Sequence, residues 1–241
     1  MRFKNLLMGA ASIAVIGGAS QAQAGPFYVS VFGGANFLSN QSAATSYKKF
    51  GSTFTGMGSE HSNTGFVLGG AVGVHLDKWV DGLRGELEAS YRRNRINGNW
   101  STSHHSGGEG RRGAEGTLSG DRSTFAVMAN VWYDIHLGSK FTPYIGGGAG
   151  WARSRISFVA VTTTFNDSSS SFAVERSGFA YQLGAGLKYE IMPDTSIGIG
   201  YRYFRGPDAN IFFQGKNGTT IPTKFRDENQ SVDVSLSIDI D

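Results

Sequence analysis

Residues Leu83–Ile96 read LRGELEASYRRNRI and alternate between two kinds of side chain. Leu83, Leu87 and Tyr91 fall on one parity. The other parity carries four charged side chains, which are Arg84, Glu86, Glu88 and Arg92. A period of two is typical of a β-strand with one apolar and one polar face. The fold therefore depends on whether the charged face meets water or points into a closed structure.

The same period recurs along the chain in stretches bounded by Gly, Asn, Asp and Ser. The eight stretches are approximately 26–38, 65–76, 83–96, 122–136, 142–156, 178–191, 195–205 and 229–240. Short segments with the sequences DKWVDG, LGSKF and MPD follow the second, fourth and sixth stretches. The other connections, rich in Ser, Thr, Gly and Asn, are interpreted as mobile loops spanning 39–64, 97–121, 157–177 and 207–228. Tight turns at one end and large loops at the other predict an up-and-down antiparallel meander.

Alternation alone does not say which face is outside, and a soluble lipocalin-type barrel would place the apolar face inside. The membrane arrangement is favoured because the polar parity is rich in Gly and Ser, which suit the interior of a small barrel. Aromatic residues also gather near the strand ends, as interfacial girdles require: Phe27, Trp79, Tyr91, Tyr133, Phe141, Trp151, Tyr189, Tyr201 and Tyr203. We predict an all-β chain, an eight-stranded antiparallel up-and-down transmembrane β-barrel over residues 25–241.

The N-terminus has the pattern of a secretory signal peptide over residues 1–24. Arg2 and Lys4 precede the small and apolar run LLMGAASIAVIGGAS, and AQA ending at Ala24 is a small-x-small cleavage site. Cleavage would lower the net charge of the 241-residue chain from +3 to +1. That charge is too small to indicate a nucleic-acid partner. The chain has no Cys, so neither disulfides nor thiolate chemistry is available.

Several segments together resemble a known family. The first strand FYVSVFGGANF, the segment FTPYIGGGAGWARSRI and the hairpin GFAYQLGAGLKYEIMPDTSIGIGYRYF are similar to small bacterial outer-membrane barrels of the OmpA-like or Opa-like type. The resemblance covers the whole mature chain and implies a surface antigen of the cell outer membrane in Gram-negative bacteria. Such barrels usually end on Phe or Trp, whereas this sequence ends SLSIDID. We therefore expect weaker recognition by the insertion machinery or the use of an internal signal.

The polar parity predicts a lumen filled by ion pairs, because an unpaired charge in so narrow an interior is very costly. The predicted network contains Arg84, Glu86, Glu88, Arg92, Asp134, His136, Lys188, Glu190, Arg202 and Asp233. Some barrels of this shape modify lipid A, and the candidates here would be His104 and His105 with Ser106 and Glu109. We expect no catalytic, metal or cofactor site, since a general base needs a fixed geometry and the neighbouring sequence is rich in Gly.

The long external segments are expected to carry the specificity. A basic patch is predicted from Arg93, Arg95, Arg111, Arg112 and Arg122. It would face the anionic lipopolysaccharide of the outer leaflet, and it could adhere to a host or surface ligand. The favoured function is therefore a structural, surface-exposed barrel, expected to be a monomer, that maintains the envelope and adheres through its loops. The alternatives are a narrow porin-like channel and a lipid A-modifying enzyme.

Overall fold

The computed structural model describes residues 26–39, 41–49, 52–106, 109–162, 168–214 and 220–240, and within them the chain forms twelve β-strands. In chain order, the strands are β1 (Phe27–Leu38), β2 (Gln41–Lys49), β3 (Ser52–Ser62), β4 (Gly65–His75), β5 (Leu83–Ser106), β6 (Glu109–Asp134), β7 (Phe141–Thr162), β8 (Ser168–Met192), β9 (Thr195–Arg205), β10 (Ala209–Gln214), β11 (Thr220–Phe225) and β12 (Glu228–Ile240). In this part of the chain, no helix is long and apolar enough to cross a membrane.

Eight of the strands close a ring in which every pair of neighbours is antiparallel. β1 pairs with β4 on one side and with β12 on the other, and strands β4 to β9 connect the two sides in chain order before β9 pairs with β12. Closure leaves no free strand edge within the barrel, so the backbone N–H and C=O groups are paired where lipid would otherwise surround them. The predicted eight-stranded antiparallel up-and-down barrel is confirmed.

Short turns connect the strands at the end that we assign to the periplasm. Two of these turns contain a glycine with positive φ, Gly82 at 80° and Gly138 at 66°. Gly82 donates its N–H to Asp77 Oδ1 at 2.8 Å, which fixes the turn between β4 and β5. The two residues 193–194 join β8 to β9. These positions coincide with the three short connections predicted from sequence.

The external segments differ from the sequence prediction. Strands β5 and β6 continue in register from the pair Leu83 and Tyr133 to the pair His104 and Arg112. β7 and β8 likewise pair as far as Thr162 and Ser168, and β3 pairs with the outer part of β5. Our interpretation of these segments as loops is therefore wrong for most of the described residues. A rigid barrel strand templates the extension of its neighbour, and the Ser and Thr that suggest loops also fit a pleated sheet.

The two faces of the barrel wall differ in polarity as alternation requires. Leu87, Val131 and Ile145 point outward and are more than half exposed in the isolated chain. Arg84 and Glu88 on the same strand as Leu87 are buried inside. The faces of β7 could not be assigned from its sequence, which has Gly on both parities. The structure settles them, since the even-numbered side chains of β7 are buried in the interior: Tyr144, Ala152, Ser154, Ile156 and Phe158.

Interior glycines make room for aromatic rings. A Cβ atom added at Gly186 would lie 2.5 Å from Tyr144 Cζ, and one added at Gly200 would lie 2.6 Å from the Tyr144 hydroxyl. Neither distance is compatible with a real side chain, so the Tyr144 ring packs where only glycine leaves space. The Gly content of the polar parity therefore serves the packing of the lumen.

Candidate functional site

The lumen is the first candidate site, and ion pairs to Asp134 close its periplasmic end. Arg84 Nη2 donates to Asp134 Oδ1 at 3.0 Å, and Arg84 Nε lies 2.8 Å from Asp134 Oδ2. Lys188 Nζ also binds Asp134 Oδ2. Arg84 Nη1 donates to the Tyr28 hydroxyl at 2.8 Å, and that hydroxyl donates to Glu86 Oε2 at 3.0 Å. A hydrogen bond between charged groups, such as that from Arg84 to Asp134, is stronger than one between neutral groups.

The middle of the lumen is organised around Glu88, whose side chain is fully buried. Arg202 Nη1 donates to Glu88 Oε2 at 2.7 Å, and Arg202 Nε lies 3.2 Å from Asp233 Oδ2. Gln182 and Asn130 donate to the same Glu88 oxygen at 2.9 and 3.0 Å. The Arg202 guanidinium carbon lies 3.9 Å from the centroid of the Phe32 ring. The central charges are therefore both paired and packed against an aromatic ring.

Arg92 closes the lumen above this centre. Its guanidinium carbon lies 3.9 Å from the centroid of the Phe204 ring, and its Nη1 donates to Ser90 Oγ at 3.1 Å. Both Arg92 and Phe204 are at least 98% buried. A long cation lying flat on an aromatic ring fills cross-section as well as balancing charge.

A belt of mainly neutral polar side chains, joined to the carboxylate of Asp227, crosses the lumen beyond Arg92. Asn36 Nδ2 donates to Asn94 Oδ1 at 2.6 Å and to Asn229 Oδ1 at 2.8 Å. Asn229 donates to Asp227 Oδ1 at 2.8 Å, and the Thr124 hydroxyl donates to Asp227 Oδ2 at 2.9 Å. The belt therefore joins strands from opposite sides of the barrel through hydrogen bonds between buried groups.

An apolar cluster seals the outer end. Leu38, Ile96, Ile156 and Phe158 are buried and pack together, with Leu118 and Val174 against them. This cluster stands where the barrel leaves the membrane and the extended strands begin. Charged, neutral polar and apolar layers thus follow one another along the lumen and fill it with side chains.

Charge in the described interior is balanced. Five cations face five carboxylates, namely Arg84, Arg92, Arg122, Lys188 and Arg202 against Glu86, Glu88, Asp134, Asp227 and Asp233. Such balance is what a low-dielectric interior requires, because each uncompensated charge would carry a large desolvation cost.

Two residues assigned to the network by sequence lie apart from it. The His136 side chain is half exposed, and its Nδ1 lies 3.4 Å from Asp81 on a periplasmic turn. Glu190 is also exposed. Both line a cavity of about 290 Å³ at the periplasmic mouth, next to the pair of His75 and Asp239 at 3.1 Å. The alternation of inward and outward residues continues past the membrane into this exposed mouth, so the alternation alone could not distinguish the lumen from the mouth.

The predicted basic patch is divided by the structure. Arg93 points outward and pairs with Asp121 at 3.3 Å, and Arg95 is exposed on the same face. Arg122 instead points inward, is buried, and donates to the Arg226 carbonyl at 2.9 Å. Arg122 has the same parity as the inward-facing Thr124 on β6, and this sequence signal could have placed it in the lumen. Arg122 is therefore not part of the external patch.

Some predicted side chains lie outside the described part of the structure. They are those of Arg111, Arg112, His104, His105, Ser106 and Glu109. Among the side chains that are described, no group of three or more His, Cys, Asp and Glu residues could hold a metal ion.

Sequence reasoning missed the neutral members of the lumen. Asn130 donates to both Glu86 and Glu88, and Tyr28 joins Arg84 to Glu86. Gln182 donates to Glu88 and to Asn130. Their position on the polar parity was the available signal. The sequence analysis also left Arg153 and Arg155 out of the basic patch. Both lie on the outer face of β7, and the residues between and beside them are buried.

Comparison with known proteins supplies the family. The outer membrane protein beta-barrel domain matches residues 7–237, nearly the whole chain. The chain belongs to this family of outer-membrane β-barrels. An outer membrane protein of Gluconacetobacter diazotrophicus is 32% identical over 185 residues, which cover 73% of this chain and 45% of that protein. The outer membrane protein PagN of Salmonella typhimurium is 30% identical over 84 residues, 35% of each chain. The chain thus spans less than half the length of these two relatives.

The solved structures to which this chain is similar include Neisserial surface protein A, NspA. It is 16% identical, with a TM-score of 0.49, over 91% of this chain and 100% of that one. The outer membrane protein OprG from Pseudomonas aeruginosa is 14% identical, with a TM-score of 0.47, over 90% and 98% of the two chains. The family and the named relatives place this protein in the bacterial outer membrane.

Proposed function

We propose that this protein is a surface-exposed, non-enzymatic outer-membrane barrel that stabilises the envelope, conducts no significant ion current and adheres through its extracellular strands. The observation that carries the proposal is the continuation of β5 to β8 as paired strands beyond the membrane, above a lumen filled with side chains. β5 continues past Tyr91 to Ser106, a distance of roughly 50 Å along the strand. A paired sheet of that reach presents a defined surface to the medium.

The filled lumen argues against the porin alternative. An eight-stranded barrel is just wide enough for its own side chains, and here arginines at three heights cross it: Arg84, Arg202 and Arg92. We expect no stable open state in planar-bilayer recordings of the refolded protein. Recordings that show a large, long-lived conductance in most insertions would contradict the proposal.

The adhesive part of the proposal is tested on intact cells that display the protein. A shortened variant removes residues 159–171 and joins Phe158 to Phe172 through Asn-Gly, since these two residues face each other in the register of β7 and β8. Adhesion to immobilised heparin, a sulfated polysaccharide, should fall in this variant and in Arg111→Ser/Arg112→Ser. Barrel integrity is monitored by heat-modifiable gel mobility. Equal adhesion of wild type and both variants would remove the adhesive role.

The non-enzymatic part is tested by the lipid A of the expressing cells. Mass spectra should show the same acyl chains and headgroup with the wild-type gene as with an empty vector. A change in lipid A that His104→Ala/His105→Ala abolishes would instead support the enzyme alternative.

A further inference from the structure

The outer face of β5 to β8 carries a row of basic side chains that the lumen does not use. Arg93 pairs in register with Ser123, Ser123 with Arg155, and Arg155 with Glu175. Residues paired in this way share one face of a sheet. The row below it contains Arg153 opposite Phe125. The arginines thus form a compact outward patch across three neighbouring strands.

The patch lies directly above the aromatic girdle. Arg93 follows the exposed Tyr91 by two residues, and Arg153 follows the exposed Trp151 by two residues. Two residues advance a strand by roughly 7 Å, or about 5 Å in height at the usual tilt of a membrane barrel. The polar headgroup layer adds about 5–8 Å on each side of the hydrocarbon. Arg93 and Arg153 therefore stand within the headgroup layer of the outer leaflet.

The charges of this patch are only partly compensated within the protein. The outward side chains that enter this comparison are Arg93, Arg153 and Arg155, together with the carboxylates of Asp121 and Glu175. Arg93 pairs with Asp121, and Arg153 pairs with Glu175. All three arginines are exposed, and they outnumber the two carboxylates. The excess of positive charge at headgroup height matches an anionic group, and guanidinium forks suit phosphate oxygens.

A groove of about 730 Å³, lined by polar and apolar residues in similar measure, opens immediately above the arginine row on the same face. Hydroxyl and amide side chains line it, among them Asn97, Ser119, Ser157 and Ser171. These residues lie on the same strands as the arginines and in the same strand pairing, since Asn97 pairs with Ser119 and Asp121 pairs with Ser157. Neutral donors and acceptors of this kind match the hydroxyl groups of sugars.

We propose that this patch and groove form a site for one phosphorylated glycolipid of the outer leaflet, a lipopolysaccharide molecule. Its phosphates lie on Arg93, Arg153 and Arg155, and its core sugars enter the groove between Asn97 and Ser171. The arginine patch lies nearer the membrane than the groove does. The ligand has the same order, since the phosphorylated headgroup of lipopolysaccharide lies nearer the hydrocarbon than its core sugars do. The site lies outside the lumen and does not depend on the adhesive function proposed above.

The test measures binding of fluorescently labelled lipopolysaccharide to the full chain in detergent micelles, by anisotropy. Arg153→Gln/Arg155→Gln removes two outward charges at the site. Lys78→Gln/Lys140→Gln removes two exposed charges from the periplasmic turns and serves as the matched control. Heat-modifiable mobility shows that each variant is folded. Wild type is also measured against dephosphorylated lipopolysaccharide and against labelled phosphatidylglycerol.

We expect the arginine variant to weaken binding on the order of 30-fold, from the usual contribution of basic residues near an anionic lipid surface. The control should bind as wild type does, and dephosphorylated lipopolysaccharide should lose affinity for wild type to a similar extent. This last comparison needs no variant, so the inference stays testable if a substitution prevents folding. Equal weakening in the control would overturn the site. Equal affinity of wild type for phosphatidylglycerol would also overturn it, because only general attraction to anionic lipid would remain.

Discussion

Replacing Arg202 with Met tests whether the lumen is held by paired charges. The Arg202 guanidinium binds Glu88 at 2.7 Å and Asp233 at 3.2 Å, and it stacks on Phe32. Methionine keeps much of the volume of the side chain and removes the cation. Two carboxylates whose side chains have no solvent exposure would then share one cavity without their main partner. Gln182 and Asn130 would still donate to Glu88, but neither carries charge.

The expected cost follows from the burial. Removing one partner of a buried ion pair destabilises proteins by about 3–5 kcal/mol, and the stacking on Phe32 adds about 1–2 kcal/mol to the loss. Neutralisation of one carboxylate by proton uptake offsets part of this cost, so we expect about 4 kcal/mol in the free energy of unfolding. The measurement is equilibrium urea unfolding of the refolded protein in detergent micelles, followed by Trp fluorescence and gel mobility.

Two further variants isolate the charge from the packing. Arg202→Met/Glu88→Gln/Asp233→Asn removes both orphaned carboxylates and should regain at least half of the lost stability, since neutral amides tolerate burial better. Arg93→Met breaks an exposed pair with Asp121 and should cost no more than about 1 kcal/mol. Paired charges do not hold the lumen if Arg202→Met loses no more stability than Arg93→Met does, or if the neutralised triple variant is no more stable than Arg202→Met.

Three other substitutions probe the remaining layers of the lumen, each by the same unfolding measurement. Gly186→Ala should cost about 1–3 kcal/mol through overpacking against Tyr144, and less in a Tyr144→Ala background; an equal cost in both backgrounds would contradict the packing argument. Phe158→Ala should cost about 3 kcal/mol by opening a cavity in the outer apolar cluster, and a change below 1 kcal/mol would show that the cluster is not tightly packed. Asn94→Ala should cost about 1–3 kcal/mol because it leaves the buried Asn36 amide with one partner fewer, and a neutral result would indicate that water replaces it.

The barrel itself could be predicted from sequence because its decisive signal is local. Within Leu83–Tyr91, the polarity of each side chain indicates which face of the strand it occupies, and the structure places Leu87 outside and Glu88 inside. Turn positions were also local, since Gly82 and Gly138 supply the positive φ that tight turns need. Eight such signals in series, separated by alternately short and long connections, determine the meander without any knowledge of distant contacts.

The partners inside the lumen could not be predicted in the same way. Arg202 meets Glu88 across 114 positions of sequence, and Asn36 meets Asn229 across 193. The alternation along each strand indicates that these residues share the interior. Their positions along the barrel axis, however, depend on the stagger between strands, which the sequence of a single strand does not indicate. His136 illustrates the consequence. It has the interior parity and lies at the strand end, and the stagger places it in the periplasmic mouth with Asp81.

The extension of the strands beyond the membrane was missed for a related reason. The segment after Ile96 is rich in Gly, Asn, Ser and Thr, a composition that free chains use for loops. Pairing with a neighbour that is already held in register removes most of the entropy cost of adding the next pair, so weak local propensity suffices. The apolar cluster of Ile96, Ile156 and Phe158 provides that anchor at the point where the strands leave the barrel. The filled lumen is thus also the base on which the extracellular sheet is built, and loosening the cluster should shorten the sheet before it opens the barrel.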